Sequence, residues 1–209
     1  MRPPLPPPRL SPALVAALAG SALLLLLQAI PSAPPVLEYR RPLLTAEPWR
    51  LLTGHFVHLN WTHALVNAGA WLLLAGLFAP QLGAKRQLLS VALGSAFVSL
   101  ALAAFNPAIE WYRGASGVLH VLFFAGATTA LAAALRSRSW PASLLPLALL
   151  VAGWTKVALE VPLDPAATPY AEWLAAATVP QAHLWGALAG SALGLVMAGI
   201  APGRSTVSR

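Results

Sequence analysis

The chain reads as an all-α membrane protein, a bundle of six transmembrane helices with both termini on the cytoplasmic side. Three observations carry that reading. Of 209 residues, 58% are hydrophobic and only 9% are charged, whereas soluble domains carry about a quarter charged residues. The mean hydropathy is +0.70. The apolar residues also form continuous runs long enough to cross hydrocarbon as helix, without the apolar–polar alternation of a transmembrane barrel.

The runs fall at 12–30, 61–79, 88–105, 116–135, 141–159 and 182–201. The first follows Arg2 and Arg9, as a signal peptide would. It is longer than a signal core, however, and reads as a retained first helix. Connections are short except for 31–60 and 160–181. The second of these, with Asp164, Pro165, Pro169, Tyr170 and Trp173, stands just before the last run and reads as a lid. Residues 1–11 and 202–209 read as disordered cytoplasmic tails around a membrane domain at 12–201.

Charge sets the orientation. With the N-terminus inside, the cytoplasmic loops and tails hold Arg2, Arg9, Lys85, Arg86, Arg136, Arg138, Arg204 and Arg209 and no acidic residue. The outer side receives Arg40, Arg41, Arg50 and Arg113 together with Glu38, Glu47, Glu110, Asp164 and Glu172. This is the positive-inside pattern. The formal charge of +7 does not point to nucleic acid, because no basic run exceeds two residues. There is no cysteine, so disulfides and thiolate metal sites are excluded.

In that topology the second, fourth and sixth helices all run inward from the outer face. His63 and Asn67 lie in the first turns of the second, Ser116 opens the fourth, and His183 opens the sixth. Lys156 and Glu160 end the fifth at the same level. Polar groups in a span are costly and therefore candidates for function. His183 shares a helical face with Gly186, Gly190 and Gly194; Ser116 is in phase with His120, Phe123, Ala127, Ala130 and Ala134. Packing the glycine face on the alanine face brings His183 toward Ser116.

Several readings stay open at this stage. His55, His58 and His63 suit interfacial loop bracing, and three histidines can also bind zinc. Without an H-E-x-x-H motif or a nearby carboxylate, no metal or cofactor is expected. His120 lies one turn after Ser116, so it can orient the serine, orient a water or compete as base. Lys156 and Glu160 are spaced as an i,i+4 pair, which fits either snorkelling side chains or a brace for the fifth helix.

Taken together, the segments resemble the rhomboid family of intramembrane serine proteases across residues 45–200. The matching pieces are Trp49-Arg50, His58/His63/Asn67, Gly114-Ala115-Ser116-Gly117 and Ala182-His183-x-x-Gly186. Glu47 to His55, Ser116-Gly117-Val118-Leu119-His120 and Gly153-Trp154-x-Lys156-x-x-x-Glu160 are similar to the rhombosortase branch of proteobacteria. The resemblance implies a rhomboid-like six-helix fold and a Ser116–His183 dyad, with His63, Asn67 and Gly114 stabilising substrate and oxyanion. His58, His120, Lys156 and Glu160 are accessory candidates. No acidic residue lies near His183 in its own helix, so no third member is expected.

It further implies membrane-anchored substrates carrying a C-terminal Gly-rich motif, a transmembrane helix and a basic tail. The implied location is a bacterial inner membrane, with the site opening toward the periplasm. Glycine lowers helix stability by about 1 kcal/mol per residue, so a Gly-rich span boundary opens readily. The competing classes are a non-catalytic rhomboid-like protein that binds membrane clients, and a small transporter. The apolar inner half argues against a transport pathway.

Overall fold

The computed structural model describes residues 10–162 and 178–199. The two expected tails lie almost wholly outside the described residues, and so do the lid residues named above. The described chain is helical: α1 (Pro12–Gln28), α2 (Ala33–Leu37), α3 (Arg50–Thr53), α4 (Trp61–Leu77), α5 (Ala79–Phe105), α6 (Ser116–Arg136), α7 (Trp140–Glu160) and α8 (Pro180–Gly199). A short antiparallel pairing joins β1 (Tyr39–Arg40) to β2 (Trp111–Tyr112), with Tyr39 opposite Tyr112. By length and composition α5 to α8 can each cross a membrane. Helices α1 and α4 are apolar and 17 residues long, about 25 Å at 1.5 Å per residue.

Local chemistry explains where these helices start. The Ser11 hydroxyl accepts the Leu14 amide, and the Asn60 side chain accepts the His63 amide at 2.8 Å, each satisfying an orphan donor of a first turn. Proline in the first turn opens α1, α5 and α7, where its missing N–H costs nothing. The span expected at 88–105 starts earlier. A turn from Ala79 breaks at Gly83 (φ 60°) and the helix resumes through Lys85 and Arg86, both good helix formers. Gln87 Nε2 donates to the Ala75 carbonyl and ties this corner to α4.

Helix α6 lies at the centre, with 56% of its apolar window buried. Its closest partner is α8, but not through the alanine face. A Cβ on Gly186 would stand 2.1 Å from the Gly117 carbonyl oxygen, one on Gly190 2.4 Å from that of Val121, and one on Gly194 2.6 Å from Thr128 Cβ. The glycine stripe therefore seats on the Gly117–Val121–Phe124–Thr128 side of α6. Gly186 decides this: lacking a side chain, it admits the Gly117 carbonyl where an alanine methyl would hold α6 off.

The long 31–60 connection is folded on itself. The Arg50 guanidinium, 5% exposed, donates to the carbonyls of Pro35 and Glu38 and pairs with Glu47. Thr53 Oγ1 donates to the Leu37 carbonyl, and the Trp49 indole N–H to that of Val36. Buried Glu38 pairs with Arg40 and Arg113. Arg50 and Thr53 thus satisfy backbone carbonyls of this connection, and the buried charge of Glu38 is paired. A Cβ on Gly54 would meet the Tyr39 nitrogen at 2.6 Å, so glycine lets β1 close on α3. By contrast α7 is peripheral, with 17% of its apolar window buried.

Candidate active site

Ser116 and His183 are brought together by the α6–α8 contact. The Ser116 hydroxyl lies 3.0 Å from His183 Nε2. The other ring nitrogen, Nδ1, lies 3.0 Å from Glu160 Oε2 at the end of α7. A carboxylate only accepts, so the Nδ1 proton is donated to it. Nε2 is then left with a lone pair facing the serine O–H. The expectation that His183 lacks an acidic neighbour is therefore corrected. The carboxylate comes from the preceding helix, 23 residues away in sequence, which a search along α8 could not reveal.

His120 does not face the serine hydroxyl. Its Nδ1–H donates to the Ser116 carbonyl at 2.7 Å, and its Nε2 lies 3.3 Å from Lys156 Nζ. Both ring nitrogens are occupied. Lys156 Nζ also donates to Glu160 Oε2 at 2.7 Å, so the pair expected from i,i+4 spacing is present.

The turn carrying Ser116 is pinned from several sides. Gly114 adopts φ +129°, which favours glycine, and a Cβ there would meet the His63 ring at 2.7 Å. Its amide donates to the Gly54 carbonyl, and its own carbonyl accepts from the Tyr112 hydroxyl at 2.5 Å. Gly114 therefore contributes close approach rather than a free N–H. The Tyr112 hydroxyl also accepts the Gly117 amide, and burial pushes this phenol up to about 12. Tyr112 was not among the expected residues; a buried aromatic two positions before the Gly-x-Ser turn was its only signal.

The histidines before α4 have separate partners. His58 Nε2 accepts the Ala115 amide at 3.3 Å, and its ring meets that of His63 edge-on at 5.0 Å. Burial, with His63 nearby, lowers it to about 3. His55 Nε2–H donates to the Ser95 carbonyl, and burial lowers it to about 4. Among the described residues no three His, Asp or Glu side chains converge as metal ligands.

His63 and Asn67 stack on one face of α4, and both are buried. Asn67 Nδ2 and His63 Nδ1 have no hydrogen-bond partner within the described chain. Both residues line a cavity of about 470 Å³ together with Ser116 and His183. Val66, Ala70 and Leu74 of α4, Leu119 and Phe123 of α6, and Gly153 of α7 make its wall almost wholly apolar. A second hollow of about 300 Å³ also reaches Ser116 and His63, and is bordered by Glu110, Trp111 and Arg113 of the α5–α6 connection. The almost wholly apolar cavity and this less apolar hollow thus meet at the serine. A serine hydroxyl, an imidazole nitrogen directed at it and buried N–H groups with no partner among the described residues are the kinds of group that acyl transfer uses.

A family model described as Rhomboid domain matches residues 45–200. No curated protein matches the chain.

Proposed function

The chain belongs to the rhomboid family, generally intramembrane serine proteases acting on membrane proteins within the bilayer, and we propose that it is one such endopeptidase using Ser116 and His183. The observation that carries this is the 3.0 Å approach of the Ser116 hydroxyl to the unprotonated nitrogen of His183.

In the proposed reaction Ser116 Oγ bonds to the scissile carbonyl carbon as its proton passes to His183 Nε2. The carbonyl π electrons move onto oxygen, where Asn67 Nδ2 and His63 N–H donate to the oxyanion. Collapse breaks the C–N bond, and the proton on Nε2 leaves with the amine. Water, deprotonated by the same nitrogen, then releases the acyl group and restores Ser116. Preorganised donors of this kind contribute roughly 3 kcal/mol each to lowering the barrier. His58, Tyr112 and Gly114 hold the turn that carries the serine, and His120 holds its carbonyl.

The substrate would be a membrane-anchored protein whose span begins in a Gly-rich segment, as in rhombosortase targets. The apolar cavity between α4, α6 and α7 suits the lipid-embedded side of the cleavage site, and the hollow beside Glu110 and Arg113 suits its polar flank. Lightly packed α7 fits lateral entry. Six spans, cytoplasmic termini and a site opening to the periplasm of a bacterial inner membrane complete the reading. Its support is the distribution of Lys and Arg and the two 17-residue apolar helices.

The test is cleavage in proteoliposomes of a reporter bearing a Gly-rich segment, a transmembrane helix and a basic tail. Wild type should cut within or beside the glycine segment, and Ser116→Ala and His183→Ala should not. Cleavage that survives Ser116→Ala would remove the proposed nucleophile.

A further inference from the structure

The geometry assigns to Glu160 the role of third member behind His183, completing a Ser116–His183–Glu160 relay whose carboxylate is held by Lys156. This rests on the protease reading above and deepens it. Four contacts form one connected path: Ser116 Oγ to His183 Nε2 (3.0 Å), His183 Nδ1 to Glu160 Oε2 (3.0 Å), Lys156 Nζ to the same Oε2 (2.7 Å), and Lys156 Nζ to His120 Nε2 (3.3 Å). His120 closes the ring through the Ser116 carbonyl.

Burial makes the carboxylate consequential. The side chains of His183 and Glu160 are 5% and 6% exposed, whereas that of Lys156 is 42% exposed. When the serine proton reaches Nε2, His183 becomes a cation in a site with little water to solvate it. A carboxylate 3.0 Å from Nδ1 offsets that charge without taking the proton. It also holds the ring in the tautomer that leaves Nε2 free.

A buried carboxylate needs compensation in the resting state, and Lys156 supplies it from a position that water partly screens. Glu160 is thus a positioning residue acting through His183, and Lys156 positions both Glu160 and His120. Because both belong to peripheral α7, the base is set only while α7 stays docked.

The experiment uses the full chain in detergent micelles with a fluorophosphonate probe, separating the maximal rate of Ser116 modification from probe affinity. Glu160→Gln should lower the maximal rate about 100-fold or more, with probe affinity and Tm unchanged. Glu160→Asp, which restores the charge one methylene short, should regain part of it. Wild-type rates in Glu160→Gln would overturn the relay while leaving the dyad intact. An unreactive, folded wild type would instead overturn the protease reading. Should Glu160→Gln fail to fold, 15N spectra of histidine-labelled wild type decide the matter: His183 carrying its proton on Nδ1 is expected, and on Nε2 contradicts the relay.

Discussion

The rings of His120 and His183 lie nearly parallel, with centroids 4.3 Å apart and planes at 14°. One histidine is tied to the carbonyl of Ser116 and the other to its hydroxyl, so the stack clamps the serine between two helices. An aromatic pair contributes about 0.5–1.5 kcal/mol beyond its burial, or roughly tenfold in rate at the upper end. His120→Ala should therefore lower reporter turnover by roughly tenfold, and His183→Ala should abolish it. His120→Phe, which keeps the stack and loses both polar contacts, should fall between wild type and His120→Ala. Equal, complete loss in His120→Ala and His183→Ala would return His120 to contention as the base.

Asn67 offers a sharper separation of activity from stability. Its amide nitrogen is buried with no partner among the described residues, and a buried unpaired donor costs a fold about 1–3 kcal/mol. Asn67→Leu, similar in volume and free of that cost, should raise Tm while lowering kcat about 100-fold through loss of the proposed oxyanion donor. Parallel loss of Tm and activity would mark Asn67 as a packing residue instead.

The Gly186 contact makes a prediction about packing. With 2.1 Å between a notional Cβ and the Gly117 carbonyl oxygen, Gly186→Ala must push α8 away from α6 and stretch the Ser116–His183 contact. Overpacking of this kind costs about 1–3 kcal/mol, so both Tm and probe reactivity should drop. Gly76→Ala is the matched control in α4, because nothing lies within 4 Å of its notional Cβ. That variant should keep wild-type probe reactivity and hold or raise Tm, since alanine favours a helix over glycine by about 1 kcal/mol.

Acid should destabilise the protein through the connection between α3 and α4. His55 and His58 sit at about 4 and about 3 in the fold, against 6.5 for the free side chain. Below 6.5 the unfolded chain binds protons that the folded chain does not. Their contribution is therefore whole above that pH and is lost as pH falls toward 3–4, by about 1.4 kcal/mol per pH unit for each histidine. Tm in micelles should be flat above about pH 7 and decline below about pH 6. His58→Gln keeps an acceptor for the Ala115 amide and should flatten part of that decline. A Tm insensitive to acid down to about pH 4.5 would contradict the buried neutral state.

Much of this was legible in sequence because it is local. The apolar runs, the Gly stripe of α8 and the i,i+4 pair of Lys156 and Glu160 all follow from helical spacing. What was not legible depends on which helices touch. The carboxylate of Glu160 reaches His183 only because the end of α7 lies beside the first turn of α8. The glycine stripe found Gly117 rather than the alanine face because a backbone carbonyl, invisible to side-chain periodicity, offered the closer seat. Tyr112 brackets Gly114 and Gly117 through a two-residue strand pairing too short to leave a pattern.

Modification of Ser116 itself tests the central claim most directly. The purified full chain is treated with a fluorophosphonate probe and the adduct located by mass spectrometry. A single adduct on Ser116 is expected, absent in Ser116→Ala and greatly reduced in His183→Ala. A folded wild type that takes no adduct, or takes it equally without His183, would contradict that claim.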